Sequence, residues 1–179
     1  MRIDMEDIYR PSGKDYLYVN DDRTLKVDKE YIEFLKTLAQ KNGTGKCTMC
    51  LHNDTRAHVH EMINVYPKKT YVRPHSHPFK TETKIIIEGK LQVILFDNFG
   101  KILDVFVMEK SDVFTFRLDR GVIHTNIPLT DVVFHEIIEG PFVGKDDSVF
   151  PDWAVEPNDT EQVEIFMKKI ERQMTFLDI

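Results

Sequence analysis

The chain has 179 residues, of which 41% are hydrophobic and 30% charged, and a formal net charge of -6; this is room for one domain with a good core, and the sign of the charge argues against nucleic acid as the main partner. No run approaches the ~20 apolar residues that a bilayer span needs, and the charged start Met1-Arg2-Ile3-Asp4 does not read as a signal peptide. Two cysteines, Cys47 and Cys50, are too few for a secreted disulfide scaffold, so the expected location is the reducing cytoplasm.

Residues 1 to about 27 are polar and mixed and read as a partly extended arm. A helix follows, with Asp28 as N-cap, Tyr31, Phe34, Leu35 and Leu38 at helical spacing, and Asn42-Gly43 as the stop. From Arg56 the period changes to alternation. Residues 56–66 read as a strand, Pro67-Lys68-Lys69 as a turn, and 83–87 as a strong strand. Glu88-Gly89-Lys90 makes a tight hairpin into 91–96, and Asp97-Asn98-Phe99-Gly100 turns the chain into 102–107. Then come 113–118, a turn at Asp119-Arg120-Gly121, and a last strong strand at 132–138. Short strands at this interval predict a sandwich or barrel rather than a βαβ fold. After Gly140-Pro141 the chain is irregular until Thr160, a candidate cap for a helix to about Gln173, with Val163, Phe166, Met167 and Ile170 on one face. The expected organisation is one domain: an arm and helix over 1–55, a barrel over 56–143, and an extension and helix over 144–179.

The chemistry concentrates at His75-Ser76-His77-Pro78-Phe79-Lys80-Thr81-Glu82. In an extended chain residues two apart face the same way, so His75 and His77 point to one side together. Neutral imidazole and carboxylate suit a divalent transition metal. His124, three residues after Gly121, is the fourth candidate ligand. Three histidines and one carboxylate leave one or two positions open on a five- or six-coordinate ion, which is a catalytic style of site. Iron, manganese and zinc are the expected metals, with nickel acceptable.

The run His75-x-His77-x4-Glu82-x6-Gly89 resembles the first motif of the cupin superfamily, and Asp119-x-Gly121-x2-His124 resembles part of the second. More narrowly, Tyr71-Val72-Arg73-Pro74-His75-Ser76-His77, Gly89-Lys90-Leu91, Phe96-Asp97-x2-Gly100, Gly140-Pro141-Phe142 and Trp153-Ala154 resemble WbuC-type cupin metalloproteins over residues from about 47 to 157. The resemblance implies a mainly β, double-stranded β-helix (jelly-roll) cupin barrel with an N-terminal and a C-terminal helix. It also implies His75, His77, Glu82 and His124 as ligands, edge-to-edge homodimers, and a link to bacterial surface polysaccharide synthesis. The chain departs from the pattern where Lys69 stands near the usual glycine and Asp119 at the usual proline.

Other residues are candidates for the pocket. Arg73 and Lys80 would suit an acidic group on a ligand, or else face solvent. His58, His60 and Met62 share one strand face and look into the barrel if the opposite face packs on a terminal helix. Glu136, alternating with Val132, Phe134 and Ile138, needs a partner if buried, as an acceptor behind a ligand histidine or as a general base. Cys47-x2-Cys50-x-His52 lacks a second ligand pair and reads as small buried thiols. The leading expectation is an isomerase or epimerase acting on a small polar substrate such as a sugar or nucleotide sugar, with Glu136 or His60 as proton carrier. The alternatives are an iron-dependent oxygenase, a non-catalytic module binding a small ligand or metal, and a barrel in which the metal is a structural staple.

Overall fold

The computed structural model describes residues 9–12, 16–19 and 24–176. Asp28 starts the first helix, α1 (Lys29–Lys41), by accepting the Tyr31 backbone N–H at 3.0 Å, as its residue type predicts. Asn42 closes it, and Gly43 follows with φ 76°.

The described residues hold ten strands, in chain order β1 (Tyr9–Ser12), β2 (Tyr16–Val19), β3 (Cys47–Cys50), β4 (Val59–Tyr66), β5 (Glu82–Glu88), β6 (Leu91–Phe96), β7 (Ile102–Met108), β8 (Thr115–Leu118), β9 (Ile123–Pro128) and β10 (Val132–Glu139), with α1 between β2 and β3. They form a seven-stranded sheet in the order β1-β2-β3-β4-β10-β5-β8 and a three-stranded sheet in the order β7-β6-β9. Apart from β2 with β3, all neighbours are antiparallel. This is the double-stranded β-helix, a jelly roll with a helix at each end. The second helix is α2 (Thr160–Phe176).

Alternation decides which residues face the space between the sheets. On β3 and β4, Cys47, Met49, Ile63 and Val65 point outward and pack with Val133 against Tyr31, Ile32, Leu35 and Ala39 of α1. At roughly 1.5–3 kcal/mol per fully buried large apolar side chain, this contact fixes the register of both strands. The intervening residues Thr48, Cys50, His60, Met62 and Asn64 therefore face inward. The helix α2 covers the outer face of the smaller sheet, where Ile170 joins Ile94, Phe96, Ile102 and Ile123. Between the sheets lie Ile86, Leu91, Val93, Met108, Val132 and Phe134.

Several expectations need correction. The N-terminal arm contributes β1 and β2, which extend the large sheet through β3; β3 itself was not predicted. A strand was expected at His124 after the Gly121 turn but not delimited, because all six residues of β9 are buried and so show no alternation. Strand β4 starts at Val59 instead of 56, since Ala57 N–H closes a turn onto the Asp54 carbonyl. Strand β8 starts at Thr115, two residues later than expected. The cap of α2 is Asp159, which accepts the Gln162 N–H at 3.1 Å, and Thr160 is the first helical residue.

Candidate metal centre

Two main-chain hydrogen bonds bring the first candidate ligand to the fourth. His75 and His124 pair across an isolated bridge, His75 N–H to His124 O at 3.0 Å and His124 N–H to His75 O at 2.9 Å. Residues paired in this way project their side chains to the same side. The Gly121 N–H donates to the His77 carbonyl at 2.9 Å, which ties the second turn to the first motif. Ring centroids lie 4.5 Å apart for His75 and His124, 5.0 Å for His75 and His77, and 6.1 Å for His77 and His124.

Each imidazole has the same proton arrangement. His75 Nδ1 lies 2.8 Å from the Arg73 carbonyl, His77 Nδ1 2.7 Å from the Asp147 carbonyl, and His124 Nδ1 3.1 Å from the Val122 carbonyl. A carbonyl oxygen only accepts, so Nδ1 carries the hydrogen in all three. In the neutral ring each Nε2 then presents a lone pair. Burial, followed by the neighbouring His124, pushes His75 down to about 3, which keeps it neutral.

Glu82 enters from β5. Its Oε1 stands 2.7 Å from His124 Nε2, yet both atoms are buried and neither has a hydrogen-bond partner. Two lone-pair atoms in this relation are a donor pair for a cation. The other oxygen, Oε2, accepts from Lys84 Nζ at 2.5 Å. Burial would raise the Glu82 carboxyl, but Lys84 beside it holds it well below the usual carboxylate range. As the side chains stand, no three His, Cys, Asp or Glu groups among the described residues meet at one point that would hold an ion. The donor types and their proton inventory fit a divalent transition metal.

Lys84, which sequence reasoning missed, is 2% exposed and also lies 3.1 Å from Glu136 Oε1. The register explains the cluster: Glu136 on β10 is directly opposite Lys84, and Glu82 is two residues along the same strand. Glu136 Oε2 accepts from Asn64 Nδ2 at 3.1 Å, and Asn64 Oδ1 accepts from Thr48 Oγ1 at 2.7 Å. A polar row thus crosses the inner face of β3, β4, β10 and β5, with partners for its carboxylates and ammonium.

A cavity of about 620 Å3 opens beside the histidines. His60 and Glu136 line it with Asn64, Lys84, Asn126 and Phe134. His60 stacks on His52, centroids 4.1 Å apart and planes 8° apart. Cys50 also faces the cavity, while Cys47 packs under α1; both are buried and neither is in a disulfide, and burial pushes Cys50 up to about 12. Three further candidates lie elsewhere. His58 is exposed, because it precedes β4. Arg73 stacks over Phe150 and is held by Glu156 at 2.6 Å and the Ala154 carbonyl at 3.1 Å, so it fastens the C-terminal extension. Lys80 is buried against Asp147, the residue whose carbonyl orients His77. These roles depend on residues about 70 to 80 positions away, which no local pattern signals.

The family described as a domain of unknown function (DUF6016) matches residues 27–108. No curated protein matches the chain. Among solved structures, CapF with the inhibitor 3-isopropenyl-tropolone is 16% identical at a TM-score of 0.49, over 59% of this chain and 30% of that one. Recombinant oxalate oxidase in complex with glycolate is 20% identical at a TM-score of 0.46, over 60% and 55%. A conserved protein with a double-stranded β-helix domain from Klebsiella pneumoniae subsp. pneumoniae is 12% identical at a TM-score of 0.44, over 57% and 76%. The chain therefore spans less than two thirds of the length of CapF and of oxalate oxidase.

Proposed function

We propose that this chain is a cupin that binds one divalent transition metal through His75, His77, Glu82 and His124, and that it acts as an isomerase or epimerase on a small polar substrate of the sugar or nucleotide-sugar class. One observation carries the reading: three histidines whose Nδ1 hydrogens go to backbone carbonyls, with the orphaned Glu82 Oε1 beside the equally orphaned His124 Nε2. A divalent ion held there would supply Lewis acidity toward a substrate oxygen. The side chains around the cavity have distinct parts in the proposal. Glu136 is the proton carrier, ion-paired with Lys84 and oriented by Asn64. Asp147 fixes the His77 tautomer through its carbonyl and is itself anchored by Lys80. The motifs that resemble WbuC-type proteins support a polysaccharide-related substrate and a homodimer.

One observation favours a non-catalytic ligand-binding module instead: Glu136 has each of its oxygens engaged, by Lys84 and by Asn64. Elemental analysis of tag-free protein, alone and as His77→Ala, tests the metal. The expected result is about one ion per chain, lost in the variant while its circular dichroism is unchanged. Wild-type protein that takes up no iron, manganese, zinc or nickel on reconstitution would end the proposal.

A further inference from the structure

Two side chains in the cavity wall have buried polar atoms that nothing in the protein satisfies. His60 is 6% exposed and Asn126 is 4% exposed; both line the cavity, and His60 Nε2 and Asn126 Oδ1 have no hydrogen-bond partner. The backbone of Thr55 and Ala57 hydrogen-bonds the His60 ring. With Nε2 unpartnered, those carbonyls take the Nδ1 hydrogen, so Nε2 is left as an unsatisfied acceptor on a residue that lines the cavity. Burial first, and then Lys80, hold His60 below its usual value, and the ring adds no positive charge near neutral pH. A buried acceptor without a donor is costly, and a ligand hydroxyl offers that donor.

The cations point the same way. Arg73 is committed to Glu156 and Phe150, and Lys80 to Asp147. Lys84, which does line the cavity, lies between Glu82 and Glu136. Among the described lining residues, therefore, no Lys or Arg is left to neutralise a phosphate or carboxylate; the one cation such a group would meet is the proposed metal, whose open position the reacting sugar oxygen would take.

We infer that the cavity takes an uncharged, polyhydroxylated ligand whose hydroxyls donate to His60 Nε2 and Asn126 Oδ1, in preference to a phosphorylated or nucleotide-linked one. The inference rests on the proposed sugar class and narrows it. Its volume, about 620 Å3, is within the range of small-molecule sites.

The test uses metal-reconstituted protein whose metal content is measured in the same samples. Neutral aldohexoses and their 1-phosphates are titrated as pairs by calorimetry, with UDP-hexoses as a third arm. The expected result is that at least one neutral hexose binds, that its phosphate and UDP derivatives bind no tighter, and that His60→Phe weakens the neutral sugar at least ten-fold. Phe retains the stack on His52. Asn126→Leu carries the same expectation and decides the matter if His60→Phe does not fold. Phosphorylated members binding ten-fold tighter, no neutral hexose binding, or undiminished binding in the folded variants would each overturn the inference. Absence of metal in the wild type would count separately, against the metal proposal.

Discussion

Replacing Lys84 by methionine isolates the electrostatics of the site. The ammonium lies 2.5 Å from Glu82 and 3.1 Å from Glu136. At an effective dielectric of about 20, each attraction is on the order of 5–7 kcal/mol, and it offsets a desolvation cost of several kcal/mol per buried ion. Methionine fills the space against Phe116, 5.8 Å from the ammonium, but leaves two carboxylates without their cation. Breaking such a pair from one side costs about 3–5 kcal/mol. Urea unfolding in chelator should show this as a midpoint lower by about 2 M for a slope near ~2 kcal/mol per M. Saturating divalent metal should then restore more stability to Lys84→Met than it adds to the wild type, because a cation on Glu82 replaces the missing charge. A loss below about 1 kcal/mol in chelator, or an equal metal-induced gain in both proteins, would refute the argument.

Two further changes test the scaffold. Lys69 adopts φ 63° while its N–H donates to the Pro128 carbonyl at 2.9 Å; a left-handed non-glycine residue costs ~1–2 kcal/mol, against ~0.5–1 kcal/mol of extra unfolded-state entropy for glycine. Lys69→Gly should therefore stabilise by about 0.5–1 kcal/mol, a rise of roughly 1–4 °C in Tm, and a fall in Tm would show that the lysine side chain has a role of its own. His52 is pushed down from 6.5 to about 4, by burial and then by the stacked His60. Between those two pH values the unfolded chain binds a proton that the folded one refuses. Stability should thus decline as pH drops from about 6.5 toward 4, by at most ~1.4 kcal/mol per pH unit from this group. His52→Phe should flatten that part of the curve in urea unfolding at pH 7, 6 and 5; parallel curves for the two proteins would count against it.

The expected strands were legible where one face packs on a helix or on the opposite sheet. Alternation in β4 works because Ile63 and Val65 meet α1 while His60 and Asn64 look inward. It fails for β9, where His124, Thr125 and Asn126 are buried along with their apolar neighbours, and for β3, whose four residues are too few to show a period. Sequence alone could group His75 with His77 through the two-residue repeat of an extended chain. It could not place Arg73 and Lys80, whose partners lie beyond residue 146 in a segment without periodicity.

Lys84 lies between these cases, and the sequence did contain its signal. Glu82, Lys84 and Ile86 share the inward phase of β5, opposite to Thr83, Ile85 and Ile87. An inward lysine among isoleucines must find a carboxylate, because an unpaired buried ammonium would lose its proton instead. Glu82 at two residues' distance is one such partner, but a metal ligand cannot give its whole charge to a lysine. That argues for a second carboxylate from an adjoining strand, and Glu136 was the inward acidic residue without an assigned partner. Its cost on an apolar face and the cost of an inward Lys84 are one problem, solved where β10 pairs with β5.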